Sequence, residues 1–218
     1  MNEAKWLSCS ELWTLLDFMK RKAGHRKLRL FACACCRRIW RLLPEHCQRA
    51  VEVTERFADG LASREELRSA NDAESIVFRA TQPTASYDWF DAFRAAGNMA
   101  RAEAGAAFPN APHDHDDYLA AAARESTAAA AQADLLRDLF GNPFRPAHID
   151  RSWHAWRDGV VRKMAQAIYD RRRFSDLPIV ADALEEAGCT ESTILAHCRS
   201  GKEHVRGCWV LDLLLDKP

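Results

Sequence analysis

The stretch RKLRLFACACCRRIWRLL, residues 26–43, decides the fold of this chain of 218 residues. On a helical wheel at about 100° per residue, its larger apolar side chains share one side. They are Leu28, Phe31, Cys35, Ile39 and Leu42, and the arginines opposite them are Arg26, Arg29, Arg37 and Arg41. The pattern predicts an amphipathic helix with a basic outer face.

The same helical periodicity recurs along the chain, and no alternation of period two persists beyond a few residues. Gly and Pro, which break helices, contribute only 9 and 8 residues, whereas Ala is abundant. The sequence therefore predicts an all-α fold, a multi-helix bundle of about eight to ten helices in a single domain, residues 1–218. Within it we expect N-terminal helices at 1–82, a long alanine-rich helical hairpin at 83–140 and a C-terminal helical cap at 141–218.

Local signals predict where individual helices begin and end. Ser63 and Glu66 have the reciprocal spacing of a capping box, which predicts the start of a helix. Further along, apolar periodicity predicts one helix from Trp153 to Tyr169 and a last helix from His204 to Leu215.

The cysteines and the charge pattern bear on the compartment. Three of the eight cysteines, Cys33, Cys35 and Cys36, crowd into one predicted helix, where the geometry opposes disulfides among them. Reduced thiols in a cytoplasmic protein are the simpler interpretation. No window of about 18 residues is free of charge, and the start of the chain has no cationic segment leading into an apolar run. We therefore expect a cytoplasmic protein without a membrane span.

Cys33 and Cys36 also have the C-x-x-C spacing of redox proteins. In redox proteins this motif opens a helix, so that the helix dipole stabilises the first thiolate. Here the motif falls about two turns inside the predicted helix, where that advantage is lost. We expect these cysteines to be small buried core residues.

The charges are unevenly distributed, although the formal net charge is zero. Residues 1–50 carry 11 Lys and Arg against 4 Asp and Glu, whereas residues 51–150 carry 9 against 17. The opposite signs predict that the first helices pack against the middle ones, within one chain or between two.

The basic stripe is also a candidate interaction surface. Its candidate residues are Arg29, Arg37, Arg38 and Arg41. Such a stripe can follow a phosphate backbone, but the chain as a whole is neutral and contains no recognised nucleic-acid-reading motif. The sequence therefore favours a protein partner or self-association over nucleic acid.

The C-terminal region contains candidate metal ligands. His204 and Cys208 lie four residues apart on the predicted last helix, so both can face one ion. Cys198, or His197 beside it, supplies further ligands if the preceding helix approaches, and such a set favours tetrahedral zinc. The spacing matches no standard zinc finger, however, and the alternative is that Cys198 and Cys208 are core residues beside Trp209. The sequence leaves both interpretations open.

The familiar signatures of catalysis and nucleotide binding, such as the P-loop, H-E-x-x-H and G-x-S-x-G, do not occur. The sequence names no catalytic residue and favours a non-enzymatic protein. Our first hypothesis is a helical protein-interaction or scaffold module. The alternatives are a zinc- or thiol-dependent protein that uses the C-terminal Cys/His cluster, and a nucleic-acid binder that uses the basic face of residues 26–43.

Four motifs carry a resemblance to one protein family. They are FACACCRRIW at 31–40, GNPFRP at 141–146, ADALEEAGC at 181–189 and HVRGCW at 204–209. Over about residues 1–62 and 135–216 the chain resembles an uncharacterised family of cytoplasmic proteins abundant in planctomycete genomes. That family has no established activity, so the resemblance implies no catalytic residues. Residues 181–188 are also similar to short repeat-companion segments of multidomain proteins in the same bacteria, which implies an accessory or interaction module.

Overall fold

The structure is a computed structural model that describes residues 1–19, 22–38, 40–43, 45–70 and 129–218. All regular secondary structure in these residues is helical, which confirms the predicted all-α, multi-helix fold. The alanine-rich hairpin predicted at 83–140 lies outside the described residues as far as residue 128. None of the helices in the described ranges has the length and apolar character that crossing a bilayer requires.

We number the α-helices of the described residues in chain order. The first are α1 (Glu3–Ser8), α2 (Leu12–Met19), α3 (His25–Arg38), α4 (Glu45–Ala58) and α5 (Arg64–Ala70). Residues 129–140 are helical and are called α6. The rest are α7 (Arg151–Ala155), α8 (Val160–Arg171), α9 (Leu177–Glu186), α10 (Ser192–Cys198) and α11 (Trp209–Leu214). Short 3₁₀ turns occur at Trp40–Leu42, Trp156–Gly159 and Phe174–Asp176. Because these helices are short, tertiary packing supplies most of their stability.

The chain divides into two compact units, Glu3–Leu136 and Arg137–Pro218. In the first unit α3 packs against α4, and α4 packs against α5. Helix α5 begins with the predicted capping box. The Ser63 hydroxyl accepts a hydrogen bond from the Glu66 N–H at 3.0 Å, and the Glu66 carboxylate accepts one from the Ser63 N–H at 2.7 Å. Two backbone donors at the helix start are thereby satisfied.

The middle of α3 is buried on all sides, whereas the sequence predicted a helix with one buried face. Its buried residues from this segment are Leu30, Phe31, Ala32, Cys33, Ala34, Cys35 and Cys36. A helix that is apolar all round belongs in the interior, and the FACACC run has that character. The cysteines are free thiols inside this core, as expected. The helix ends at Arg38, before the 3₁₀ turn at Trp40–Leu42, so it is shorter than the stretch 26–43 that the sequence predicted as helical.

Basic residues of α3 pair with acidic residues in and just after α4. Arg26 donates hydrogen bonds to Asp59 Oδ1 at 2.9 and 3.0 Å, and Arg37 donates to the two carboxylate oxygens of Glu55 at 2.8 and 3.2 Å. Both carboxylates are almost completely buried. The basic helix therefore packs against the start of the acidic segment within one chain, and part of its predicted outer face points inward.

The core of the second unit is built around α9. Its residues Leu177, Val180, Ala181 and Leu184 are completely buried and follow the i, i+3, i+4, i+7 spacing of one helix face. Helix α9 packs against α8 and α10, and α8 packs against α11. Buried residues from these helices and from the connecting segments complete the core: Tyr169, Cys189, Ile194, Cys198, Cys208, Leu211 and Leu214.

The helix predicted from Trp153 to Tyr169 is interrupted in the structure. Between α7 and α8 the backbone is left-handed at Arg157, with φ 43°, and at Asp158, with φ 56°. Left-handed backbone at residues other than glycine is uncommon and is maintained by its surroundings. Apolar periodicity continues across this break, which is why the sequence predicted one helix instead of two.

Candidate metal centre

Three segments of the second unit converge on one point. Asp138 lies in the last turn of α6, and His197 lies in the last turn of α10. His204 and Cys208 lie on the loop between α10 and α11. The prediction that these two residues lie on a helix from His204 to Leu215 is therefore wrong, because α11 begins only at Trp209.

A turn in this loop delays the helix start and places Cys208. The Cys208 N–H donates a hydrogen bond to the Val205 carbonyl at 2.9 Å, and Gly207 inside the turn has φ 90°. Glycine adopts this left-handed backbone at little cost, whereas other residues are strained there. The short segment Val205 to Cys208 therefore turns the chain, and the helix starts after it.

Four side chains meet through short contacts. Asp138 Oδ1 lies 2.6 Å from His204 Nδ1 and 3.2 Å from His197 Nε2, and His197 Nε2 lies 3.1 Å from Cys208 Sγ. One oxygen, two nitrogens and one sulfur thus all lie within 4.8 Å of one another. The side chains of Asp138, His204 and Cys208 are buried, and that of His197 is 17% exposed.

The Asp138 carboxylate is fully engaged. Its Oδ1 faces the two histidines, and its Oδ2 accepts a hydrogen bond from the backbone N–H of Val205 at 2.9 Å. Burial by itself raises the pKa of this carboxyl, but the hydrogen bonds from His197 and His204 outweigh burial and hold the pKa below its usual range. The buried carboxylate is therefore ionised at neutral pH.

The Cys208 thiol has the opposite electrostatic environment. Complete burial raises its pKa well above the usual value, and the nearby charge of Asp138 raises the pKa further. Cys208 therefore keeps its proton unless a cation takes the place of that proton.

Two further residues contact the second ring nitrogen of each histidine, the one that does not face the cluster. Ser200 Oγ lies 3.3 Å from His204 Nε2, and the indole Nε1–H of Trp209 donates a hydrogen bond to His197 Nδ1 at 3.0 Å. The His197 ring also packs against the His204 ring, with the centroids 4.7 Å apart, and against the Trp209 ring, at 4.9 Å. These contacts restrict the orientation of both imidazoles.

The arrangement could hold a metal ion, because its four donor atoms converge and are of the types that bind transition metals. With Cys208 as the nucleophile, it does not fit a nucleophilic triad. In a triad the histidine contacts the nucleophile with one nitrogen and the carboxylate with the other. Here His197 contacts both Cys208 and Asp138 through Nε2, and the thiol is completely buried. His204 does contact Ser200 Oγ through Nε2 at 3.3 Å and Asp138 through Nδ1 at 2.6 Å, which is the connectivity of a triad around Ser200.

The structure places the three sequence-predicted ligands differently. His204 and Cys208 contribute donor atoms to the cluster. Cys198 does not: it is buried in the core of the second unit, and burial, with Cys189 nearby, raises its pKa to about 12. His197, its neighbour in α10, faces the cluster in its place.

The sequence interpretation missed Asp138. This residue is distant in the chain from the other three, 66 residues before His204. One signal was available, because Asp138 lies within the buried helical stripe formed by Leu135, Leu136 and Leu139. A carboxylate in such a stripe must have partners, since burying an unpaired charge is costly.

The four arginines of the predicted interaction surface lie in the first unit. Arg37 pairs with Glu55 and stacks on Trp40, with its guanidinium carbon 3.8 Å from the ring centroid. Arg29 lies 5.2 Å from the ring centroid of Phe57. Arg38 is half-buried and Arg41 is exposed.

Comparisons of this chain with protein-family models, with curated proteins and with solved structures gave no match.

Proposed function

We propose that this chain is a zinc-binding helical protein, in which zinc held by Asp138, His197, His204 and Cys208 stabilises the second unit. The observation that carries the proposal is the convergence of these four donor atoms within 4.8 Å. The centre joins the end of α6, the end of α10 and the start of α11. A metal at this point would cross-link three segments whose own helices are short.

The donor set favours zinc over the common alternatives. Thiolate and imidazole are poor ligands for Mg²⁺ and Ca²⁺, which prefer oxygen. Two nitrogens, one sulfur and one carboxylate oxygen suit a tetrahedral zinc ion with bonds of about 2.0–2.3 Å. Ligand atoms around such an ion lie about 3.3–3.6 Å apart. The contacts of 2.6, 3.1 and 3.2 Å need to lengthen by less than about 1 Å to admit it, and donor atoms as far apart as 4.8 Å need to approach by about 1.2–1.5 Å.

The proposed role of the zinc is structural. A catalytic zinc keeps one coordination position open for water or substrate, whereas a structural zinc has four protein ligands. Here four protein donors would fill all four positions around a tetrahedral ion, and three of the four side chains are buried. This role agrees with the non-enzymatic function that the sequence favours.

The experiment is metal analysis of the full chain, purified without a histidine tag under reducing conditions. We expect about one zinc per chain, and loss of most of it in Cys208→Ala and Asp138→Ala, because each variant removes one of four ligands. Cys198→Ala is the matched control: this thiol is as buried as Cys208 but contributes no ligand atom, so zinc content stays unchanged. Circular dichroism checks that each variant is folded. Equal zinc content in wild type and Cys208→Ala, or a chain that takes up no added zinc, contradicts the proposal.

A protein-interaction role is our second proposal, and the surface of the first unit supports it. Leu7 and Trp13 are 57% and 53% exposed, and Trp13 lines a depression together with Met1 and Phe18. Exposed aromatic side chains beside a concave surface are typical of protein contacts. We propose that a second copy of the chain binds here.

Analytical ultracentrifugation over a concentration series tests self-association. We expect a monomer–dimer equilibrium in the wild type and a dissociation constant at least tenfold higher in Trp13→Ala, because interface tryptophans often contribute more than about 1.4 kcal/mol. Leu61→Ala is the control, since Leu61 is similarly exposed, at 60%, but does not line the depression. A wild type that stays monomeric throughout rules out the dimer.

A further inference from the structure

The contact between Trp209 and His197 determines which nitrogen of His197 carries a proton in this structure. An indole N–H is a donor and never an acceptor. Because Trp209 donates to Nδ1 at 3.0 Å, Nδ1 has no proton and the N–H of the neutral imidazole is on Nε2. That N–H faces Asp138 Oδ1 at 3.2 Å and Cys208 Sγ at 3.1 Å, both of which can accept. The cluster is therefore well hydrogen-bonded without a metal.

Zinc coordination requires the other tautomer of His197. A metal on Nε2 takes the lone pair of that atom, so the Nε2 proton leaves to solvent and Nδ1 takes up a proton. The Nδ1–H would then face the Trp209 N–H, which places two donors 3.0 Å apart. A metal-bound histidine ordinarily donates its second N–H to a carbonyl, carboxylate or water. At His197 a donor occupies the place of that acceptor.

His204 shows the ordinary arrangement in the same centre. Its Nδ1 faces the cluster, and its Nε2 lies 3.3 Å from Ser200 Oγ, which can accept an N–H. The two histidines therefore differ in how well their second nitrogens suit metal binding. The mismatch belongs to His197 and Trp209 alone.

The packing of Trp209 keeps its indole N–H directed at His197 Nδ1, so the mismatch is relieved only if the ring moves. Its ring packs against Gly141, where an added Cβ would lie 3.1 Å from the indole ring, and against the His197 ring. Gly141 directly follows α6, the helix that carries Asp138. Movement of the indole away from His197 therefore disturbs contacts at the end of α6.

We infer that Trp209 is an affinity-setting residue that weakens zinc binding and makes the centre an exchangeable zinc site. The inference rests on the proposed zinc function and concerns its regulation. Binding of the ion breaks the indole hydrogen bond and displaces Trp209, and release of the ion restores the hydrogen-bonded cluster. Partners of metal-bound histidines typically change affinity by about 10- to 100-fold, and here the effect has the opposite sign to the usual one.

The test is the zinc dissociation constant of the full chain, measured by competition with a chromophoric chelator. Trp209→Phe keeps a ring against Gly141 but removes the N–H, so we expect it to bind zinc about tenfold more tightly than wild type. Trp156→Phe is the control, because Trp156 is an indole of the same unit that contributes no donor atom to the cluster, and its affinity stays at the wild-type value. Equal or weaker binding by folded Trp209→Phe, beside a wild type that binds, overturns the inference and leaves the zinc function intact. No binding by either protein overturns both.

A second measurement needs no variant to fold. In the ¹⁵N-labelled wild type, the indole N–H resonance of Trp209 reports its hydrogen bond. On addition of zinc we expect this resonance to shift toward the value of an unbonded indole and its exchange with solvent to accelerate. An indole signal that is unchanged when zinc saturates the chain contradicts the displacement of Trp209.

Discussion

Asp138 is ionised and Cys208 keeps its proton, although the two side chains belong to one centre only a few ångströms across. Hydrogen bonds from two histidines hold the pKa of Asp138 low, whereas burial and the negative charge of Asp138 hold the pKa of Cys208 high. A cation at this point neutralises the carboxylate, so Asp138 favours an ion there. The ion must also displace the proton of Cys208, which the raised pKa of that thiol makes more costly. Cys198 is equally buried but contributes no donor atom to the cluster, and it remains a core residue.

The buried cysteines are expected to react more slowly with alkylating reagents than the partly exposed Cys9. Burial raises the pKa of Cys36 and of Cys198 to about 12, so at pH 8 only about one in ten thousand of these groups is a thiolate. We expect iodoacetamide at pH 8 to label Cys9 first and to leave Cys36 and Cys198 unlabelled on the same timescale, as followed by peptide mass spectrometry. In denaturant all the cysteines should react. Labelling of Cys36 in the folded chain as fast as that of Cys9 refutes the assignment of this thiol to the core.

The elements that form the centre are a helix end, a second helix end and a turn. Helix ends suit this purpose because their last residues are held by one helical turn but lie next to a loop that is free to change direction. The turn from Val205 to Cys208 then returns the chain to the end of α6, where the Val205 N–H also binds Asp138. Local backbone geometry at Gly207 therefore matters to the chemistry of the centre.

Gly207 and Gly188 form a matched pair for testing this role of the turn. Their φ angles are 90° and 91°, so alanine at either position is strained by a similar amount, about 1–2 kcal/mol of unfolding free energy. We expect Gly207→Ala to weaken zinc binding at least tenfold and Gly188→Ala to leave it unchanged, while urea denaturation shows similar destabilisation of both. An equal loss of zinc affinity in both variants means that general destabilisation, and not the turn, governs the centre.

At the scale of the whole molecule, each of the two units contains ion pairs among its described residues. In the first unit, buried Asp59 and Glu55 pair with Arg26 and Arg37 of α3. In the second, Arg199 bridges Asp182 and Glu185, which raises the pKa of the guanidinium and lowers that of Glu185. The pairs at Arg199 are exposed, so they add little stability, whereas loss of one partner of a buried pair is costly.

The sequence predicted the helical fold, the core position of Cys33, Cys35 and Cys36 and the capping box at Ser63 and Glu66, because these follow from periodicity and from residues a few positions apart. It misplaced the start of the last helix and missed the break at Arg157 and Asp158. At both places apolar periodicity continues through a left-handed backbone segment. Periodicity records which side chains are buried and does not record such a change of direction.

The sequence by itself determined that this chain is helical, that the thiols of Cys33, Cys35 and Cys36 belong among apolar neighbours, and that His204 and Cys208 are candidate ligands. Only the tertiary structure decided that Asp138 joins them from 66 residues away, that His197 takes the place of Cys198, and that Trp209 directs a donor at His197. The physical reason is that secondary structure arises from neighbours along the chain, whereas a ligand set depends on distances in space between segments that are remote in sequence. Those distances are set by how the segments pack around a shared core.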